Sequence, residues 1–165
     1  MIRATEPRDL AAIAAIYDHY VRRTAATFDL QSPSVADWQR RRRSALRLGQ
    51  PWMVTEEDGL VAGFASLSCF RPKAAYRTTV ETTIYLAEGC VGRGLGRPLY
   101  EATLREAASR GFHLAVAGIT LPNRRSVLLH EALGFVSVGV FEEVGYKHDA
   151  WRDVGWWQLH LQRLR

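Results

Sequence analysis

The 165-residue chain is 47% hydrophobic and 24% charged, the make-up of an ordinary globular protein long enough to bury a substantial core. No apolar run approaches the roughly 20 residues of a membrane span, and Met1-Ile2-Arg3-Ala4-Thr5-Glu6 lacks the apolar stretch of a secretory signal, so no membrane partner is expected. The net charge of +5 is borne by arginine, Lys73 and Lys147 being the only lysines, and suits an anionic small molecule. Its densest run, residues 40–43 with Arg47 a turn later, would point around several faces of a helix. With Trp38 as the one neighbouring aromatic, that run reads as solvated surface, and no nucleic acid is expected. Cys69 and Cys90 form neither a disulfide framework nor a metal spacing, which makes a reduced, cytoplasmic setting the default expectation.

After Pro7, the residues Leu10, Ile13, Ala14, Tyr17, Tyr20 and Val21 recur at helical spacing. Ser32-Pro33-Ser34 marks a loop, and a second helix is predicted over 35–48, stopped by Gly49 and Pro51. Strands at 52–56 and 60–68 join around Asp58-Gly59 as a hairpin. Arg71-Pro72-Lys73 breaks the pattern before a strand at 78–86 rich in β-branched residues. A helix over 95–109 carries Tyr100, Leu104, Ala107 and Ala108 on one face and ends at Gly111. A strand at 113–120, a helix over 123–133 and strands at 136–144 and 154–161 follow. The order β-α-α-β-β-β-α-β-α-β-β predicts an α/β (α+β) fold, about four helices covering a mixed sheet, as one domain over 1–165.

The run Gly92-Arg93-Gly94-Leu95-Gly96-Arg97 joins a strand to a helix start. Glycine lets the backbone pass close to a ligand, and the free N–H groups of a helix start favour an anion, so this order suits a pyrophosphate. The spacing G-x-G-x-G is not the dinucleotide fingerprint G-x-G-x-x-G, and no lysine is present for a Walker loop. The turn resembles the acyl-CoA turn of the GNAT N-acetyltransferases, [Q/R]-x-x-G-x-[G/A], with Val91 at the first of six positions and both glycines matching. Arg93 or Arg97 is available to supply the charge that Val91 does not. The resemblance follows the element order through nearly the whole chain. It implies that two parallel strands, 78–86 and 113–120, splay apart to admit acetyl-CoA. Ile84, Tyr85, Leu86, residues 92–97, Asn123 and Ser126 would then hold this acetyl donor, and no metal is called for.

Glu81 lies mid-strand among apolar and β-branched neighbours, where a carboxylate is disfavoured. Partial burial would raise its pKa toward a value useful for taking a proton from an ammonium; a salt-bridged or edge-strand surface acid is the alternative. Asn123, Ser126 and His130 fall at i, i+3 and i+7 on one helical face. His130 occupies a position where related chains carry tyrosine and could move a proton at the sulfur or the amine, or be a capped or surface histidine; Asn123 could equally be a helix N-cap. The polar and aromatic run over 145–158 reads either as a loop closing over a small zwitterion or as a hairpin with aromatic cross-strand pairs. Trp156 and Trp157 would divide between surface and core.

Residues 79–85, 121–123, 129–135 and 145–148, with Ala26-Thr27-Phe28-Asp29 and Trp151-x-Asp153-Val154-Gly155-x-Trp157-Gln158, are like the phosphinothricin and methionine sulfoximine N-acetyltransferases. That resemblance implies acetyl transfer to the α-amine of a small amino-acid analogue, and a homodimer. Direct attack with Glu81 as base is expected, assisted by His130 and by a backbone N–H near Tyr85 or Leu86. Arg71 and Arg77 are candidates for the substrate's anionic group, with Phe28 and Tyr76 walling the pocket. Two alternatives stand beside this reading: an acetyltransferase for another amine (polyamine, aminoglycoside or protein N-terminus), and a non-catalytic CoA-responsive or nucleic-acid-binding module.

Overall fold

The computed structural model describes residues 1–164. Seven strands form one sheet in the order β1-β2-β3-β4-β5-β7-β6. They are β1 (Ile2–Ala4), β2 (Trp52–Glu57), β3 (Leu60–Cys69), β4 (Thr79–Leu86), β5 (Leu114–Leu121), β6 (Val136–Lys147) and β7 (Ala150–His160). The helices are α1 (Leu10–Arg23), α2 (Val35–Arg47), α3 (Gly96–Ser109) and α4 (Arg124–Ala132). Every pairing is antiparallel except β4 with β5.

Strand alternation sorts side chains into two apolar layers. Phe64 of β3 and Tyr85 of β4 face α1 and α2, where Ile13, Tyr17, Trp38 and Trp52 complete the packing. Leu67, Val80 and Ile84 face the other way, toward Tyr100, Leu104 and Ala107 of α3. Helix α2 illustrates how polar sequence still yields a seated helix. A reciprocal cap starts it, Ser34 Oγ accepting from Asp37 N–H at 3.2 Å and Asp37 Oδ2 from Ser34 N–H at 2.8 Å. Only Trp38 and Ala45, seven residues apart, are buried along it. Arg41 lies over the Trp38 ring and Arg42 donates to Thr5 O, so the arginine run is spread over surface as its spacing predicts.

The C-terminal strands are longer than their apolar cores suggest. β6 runs on to Lys147 and β7 begins at Ala150, so the 145–158 run is a hairpin. Tyr146 pairs with Trp151 across it, ring centroids 5.1 Å apart. The turn residues His148 and Asp149 have φ of 51° and 53°, the left-handed pair that a two-residue hairpin needs. Polar residues hide a strand that lies at the sheet's edge. Trp157 enters the core, whereas Trp156 is half-buried on the opposite face, its ring against Gly118. Phe64 has no exposed surface and touches both Trp38 and Tyr85; Phe64→Ala should therefore cost about 3–5 kcal/mol, read from urea denaturation.

Candidate active site

β4 and β5 pair over only three positions, Thr79↔Leu114, Val80↔Ala115 and Glu81↔Val116. Beyond Glu81 they part. The phase of the free backbone groups can be read directly. Thr78 O accepts from His113 N–H on the β5 side, and Ala87 N–H donates to Ala62 O on the β3 side. Period two therefore turns the backbone of Thr82, Ile84 and Leu86 toward the gap, and that of Tyr85 toward β3. Around the gap lies a cleft of about 1500 Å³.

The glycine turn closes one end of this cleft. Gly92 and Gly94 have φ of 85° and 81° with open space where a Cβ would stand, so the backbone conformation itself calls for glycine. Gly96 begins α3 against Leu86 and Leu129. Helices α2 and α4 are each capped by a side chain, Ser34 and Asn123; α1 and α3 have none, and the N-cap of α3 is Leu95. Its first N–H groups and the gap-facing backbone of β4 thus form a cradle for an anionic, amide-bearing ligand.

Glu81 is half-buried on the α1 face of β4, as is Tyr85. Burial raises its carboxyl pKa, and the Arg71 charge opposes that rise. Arg71 lies over the Phe70 ring, 4.4 Å from its centroid. His130 is buried on the other side of the sheet: Nδ1 is 2.7 Å from Ser126 O and Nε2 is 3.0 Å from Tyr100 Oη. A carbonyl only accepts, so Nδ1 carries the hydrogen. Burial pulls its pKa down, while the bond to Ser126 O works the other way. Asn123 Oδ1 caps Ser126 N–H at 3.2 Å, the N-cap the sequence allowed.

The cleft brings together Glu81, Ile84, Tyr85, Leu86, Gly92, Gly94, Gly96, Arg97, Asn123, Ser126 and His130, with Phe28 and Arg71 at its mouth. Arg93, Leu95, Tyr76 and Arg77 are not in its lining. Arg93 reaches back to Glu57 at 2.8 Å, and Tyr76 packs against Phe70, which in turn meets Trp156 of the lining. Arg77 is exposed in the loop before β4.

The family model for the GNAT acetyltransferase domain matches residues 2–156. The chain belongs to the GNAT acetyltransferases. It is 38% identical to the phosphinothricin N-acetyltransferase of Streptomyces viridochromogenes, over 98% of this chain and 87% of that protein. It is 37% identical to the L-methionine sulfoximine/L-methionine sulfone acetyltransferase of Salmonella typhimurium, over 97% of this chain and 94% of that one. A phosphinothricin acetyltransferase from Sinorhizobium meliloti, solved in complex with AcCoA, superposes with a TM-score of 0.93 at 34% identity, covering 97% of this chain and 87% of that one.

The sequence points to Ala26-Thr27-Phe28-Asp29 by resemblance and to Phe28 as a wall of the pocket, but not to how this strap is held against the GNAT cleft. Residues 24–29 form no helix or strand, yet every polar turn of the segment is tied down. Tyr85 Oη donates to Ala26 O at 3.2 Å, Tyr17 Oη meets Thr27 Oγ1 at 2.6 Å, and His148 Nε2 lies 3.1 Å from Thr24 O. From the hairpin, the buried Lys147 donates Nζ–H to Thr27 O at 2.8 Å and to Asp29 O at 3.0 Å. Burial lowers the Lys147 pKa and the Asp29 charge partly restores it. Phe28, between the two carbonyls, packs on Gly145 so closely that a Cβ there would lie 2.2 Å from its ring. Beside the resemblance over 26–29 and 145–148, a buried lysine in an otherwise arginine-rich chain marks the tie. Lys147→Met should leave both carbonyls without partners, cost about 2 kcal/mol in chemical denaturation, and speed hydrogen exchange across 24–29.

Proposed function

We propose that this chain transfers acetyl from acetyl-CoA to the α-amine of a small amino-acid analogue of the phosphinothricin, methionine sulfoximine or methionine sulfone type. The observation that carries the reading is the break in pairing at Glu81, which sets a half-buried carboxylate at the lip of an open gap leading to an uncapped helix start. Gly92, Gly94, Gly96 and Arg97 would hold the pyrophosphate, and the backbone of Ile84 and Leu86 with Asn123 the pantetheine arm. Acetyl-CoA supplies an activated thioester. Arg71 fixes the acceptor's anionic group, Phe28 covers its side chain, and Glu81, directly or through a water, removes the ammonium proton so that the free amine can attack. A gap-facing N–H of Ile84 or Leu86 stabilises the charge growing on the carbonyl oxygen. The arginine at the mouth favours an anionic acceptor over a polycation.

The active species is a homodimer built on the β6–β7 hairpin. Supporting this, the edge strand β6 exposes Val138, Val140, Phe141 and Val144, and Trp151 of β7 is 61% exposed beside them. Such an apolar edge calls for a partner. A second copy suits it because the hairpin residues Phe141 and Val144 also line the cleft. Sedimentation velocity should show a dimer that Val140→Glu with Trp151→Glu converts to monomer; a wild-type monomer rejects this assembly.

A thiol-release assay across amino-acid analogues and amines tests the activity. Glu81→Gln should lower kcat about a hundredfold or more, and Arg71→Ala should raise the acceptor KM about tenfold with the acetyl-CoA KM unchanged. Because a base works only when unprotonated and burial raises the Glu81 pKa, kcat/KM should fall on the acid side with a midpoint above the ordinary carboxylate range, and rise as pH increases through it. Binding of acetyl-CoA without thiol release on any amine would mark a regulator instead.

A further inference from the structure

Moving an acyl group from sulfur to a neutral amine conserves protons: the nitrogen sheds one and the sulfur takes one up. Glu81 handles the earlier proton, the one leaving the ammonium, and it stands on the α1 face of β4. The α3 face carries a separate buried chain. His130 Nε2 is 3.0 Å from Tyr100 Oη, which is 2.5 Å from Thr82 Oγ1, which is 3.2 Å from Val116 O. Thr82 and His130 both line the cleft, and Tyr100, with no exposed surface, joins them underneath. Val116 is the last β5 residue paired with β4, so the chain ends where the gap begins.

Its hydrogens fit two opposite directions. Since Nδ1–H is committed to Ser126 O, a neutral His130 accepts at Nε2 from Tyr100, and Tyr100 accepts from Thr82. Thr82 Oγ1 then keeps lone pairs for a donor in the gap. A charged His130 reverses every link: Nε2–H donates to Tyr100, Tyr100 to Thr82, and Thr82 to Val116 O. Around the imidazole stand Tyr100 from α3, Phe135 beyond α4 and Ser126 of its own helix, and burial favours the neutral, proton-accepting direction at rest. Both nitrogens being engaged, His130 reaches the gap through Tyr100 and Thr82.

We propose that Thr82, Tyr100 and His130 form a proton store that carries one hydrogen from nitrogen to sulfur during acyl transfer. This rests on the acetyltransferase reading above. As the C–N bond forms, the N–H bond breaks and its hydrogen joins Thr82 Oγ1; the Thr82 hydrogen moves to Tyr100 Oη and that of Tyr100 to His130 Nε2. As the C–S bond breaks, the same hydrogens run back, the sulfur leaves as a thiol and His130 is neutral again. No outside proton is consumed. Thr82 touches the reacting atoms, and Tyr100 is a positioning residue.

Thiol release, its solvent-deuterium dependence and ¹⁵N spectra of the ligand-free protein test the store together. Tyr100→Phe and Thr82→Val should each lower kcat about a hundredfold with the acetyl-CoA KM within about twofold, and the double variant should be no worse than either alone. Thr82→Ser should stay within about threefold of wild type. The bowed proton inventory of the wild type should become linear in Thr82→Val. The ligand-free spectra should show His130 protonated at Nδ1 and accepting at Nε2, with Tyr100→Phe shifting Nε2. Wild-type kcat in Thr82→Val, additive losses or an Nε2–H tautomer would overturn the store while leaving acetyl transfer, lost in Glu81→Gln, intact. A wild-type chain that releases no thiol overturns both.

Discussion

An interrupted parallel pairing governs this structure. A strand pair that stops after three rungs turns backbone groups of β4 toward an open cleft instead of a neighbouring strand, with Leu86 O taken up by Tyr20 Oη and Val116 O by Thr82 Oγ1. Within a sheet seven strands wide this is a local fault, tolerable only if something else supplies the missing hydrogen bonds. The uncapped start of α3 extends the same deficit around the corner of the cleft.

The break also determines which residues can act together. Because β4 alternates, Glu81 and Thr82 are adjacent in sequence yet look into different layers, one toward α1 and the strap, the other toward α3 and Tyr100. The gap is where those layers meet. Under the proposed mechanism the ammonium proton leaves toward one wall and the second hydrogen toward the other, and a carboxylate and an imidazole with opposite pKa displacements, up for Glu81 and down for His130, do not neutralise each other.

Much of this was legible in the chain. The glycine turn, the β-branched strand with one carboxylate and the i, i+3, i+7 face of α4 all depend on near-neighbour geometry, and each lies where its spacing predicts. Trp156 and Trp157 split between layers because alternation allows nothing else. What stayed hidden depends on distant contacts. The strap over 24–29 has no periodicity, and its order comes from Tyr17, Tyr85, His148 and Lys147, up to 124 residues away. Polar residues masked the far end of the hairpin, since an edge strand need not be apolar on both faces. Arg93 could not be assigned by spacing either: its partner, Glu57, is 36 positions earlier, at the tip of the β2–β3 hairpin.

Phe28 seated on Gly145 has a wider bearing. On the proposed assignment the acceptor side of the cleft is assembled from a strap and a hairpin far apart in the chain, while most of the donor side is the contiguous run from β4 through the glycine turn to α3. Size changes at position 28 or 145 would reshape the room offered to an amine and leave the nucleotide grip alone. Acceptor fit and nucleotide grip would then be set by separate segments, each able to change without the other.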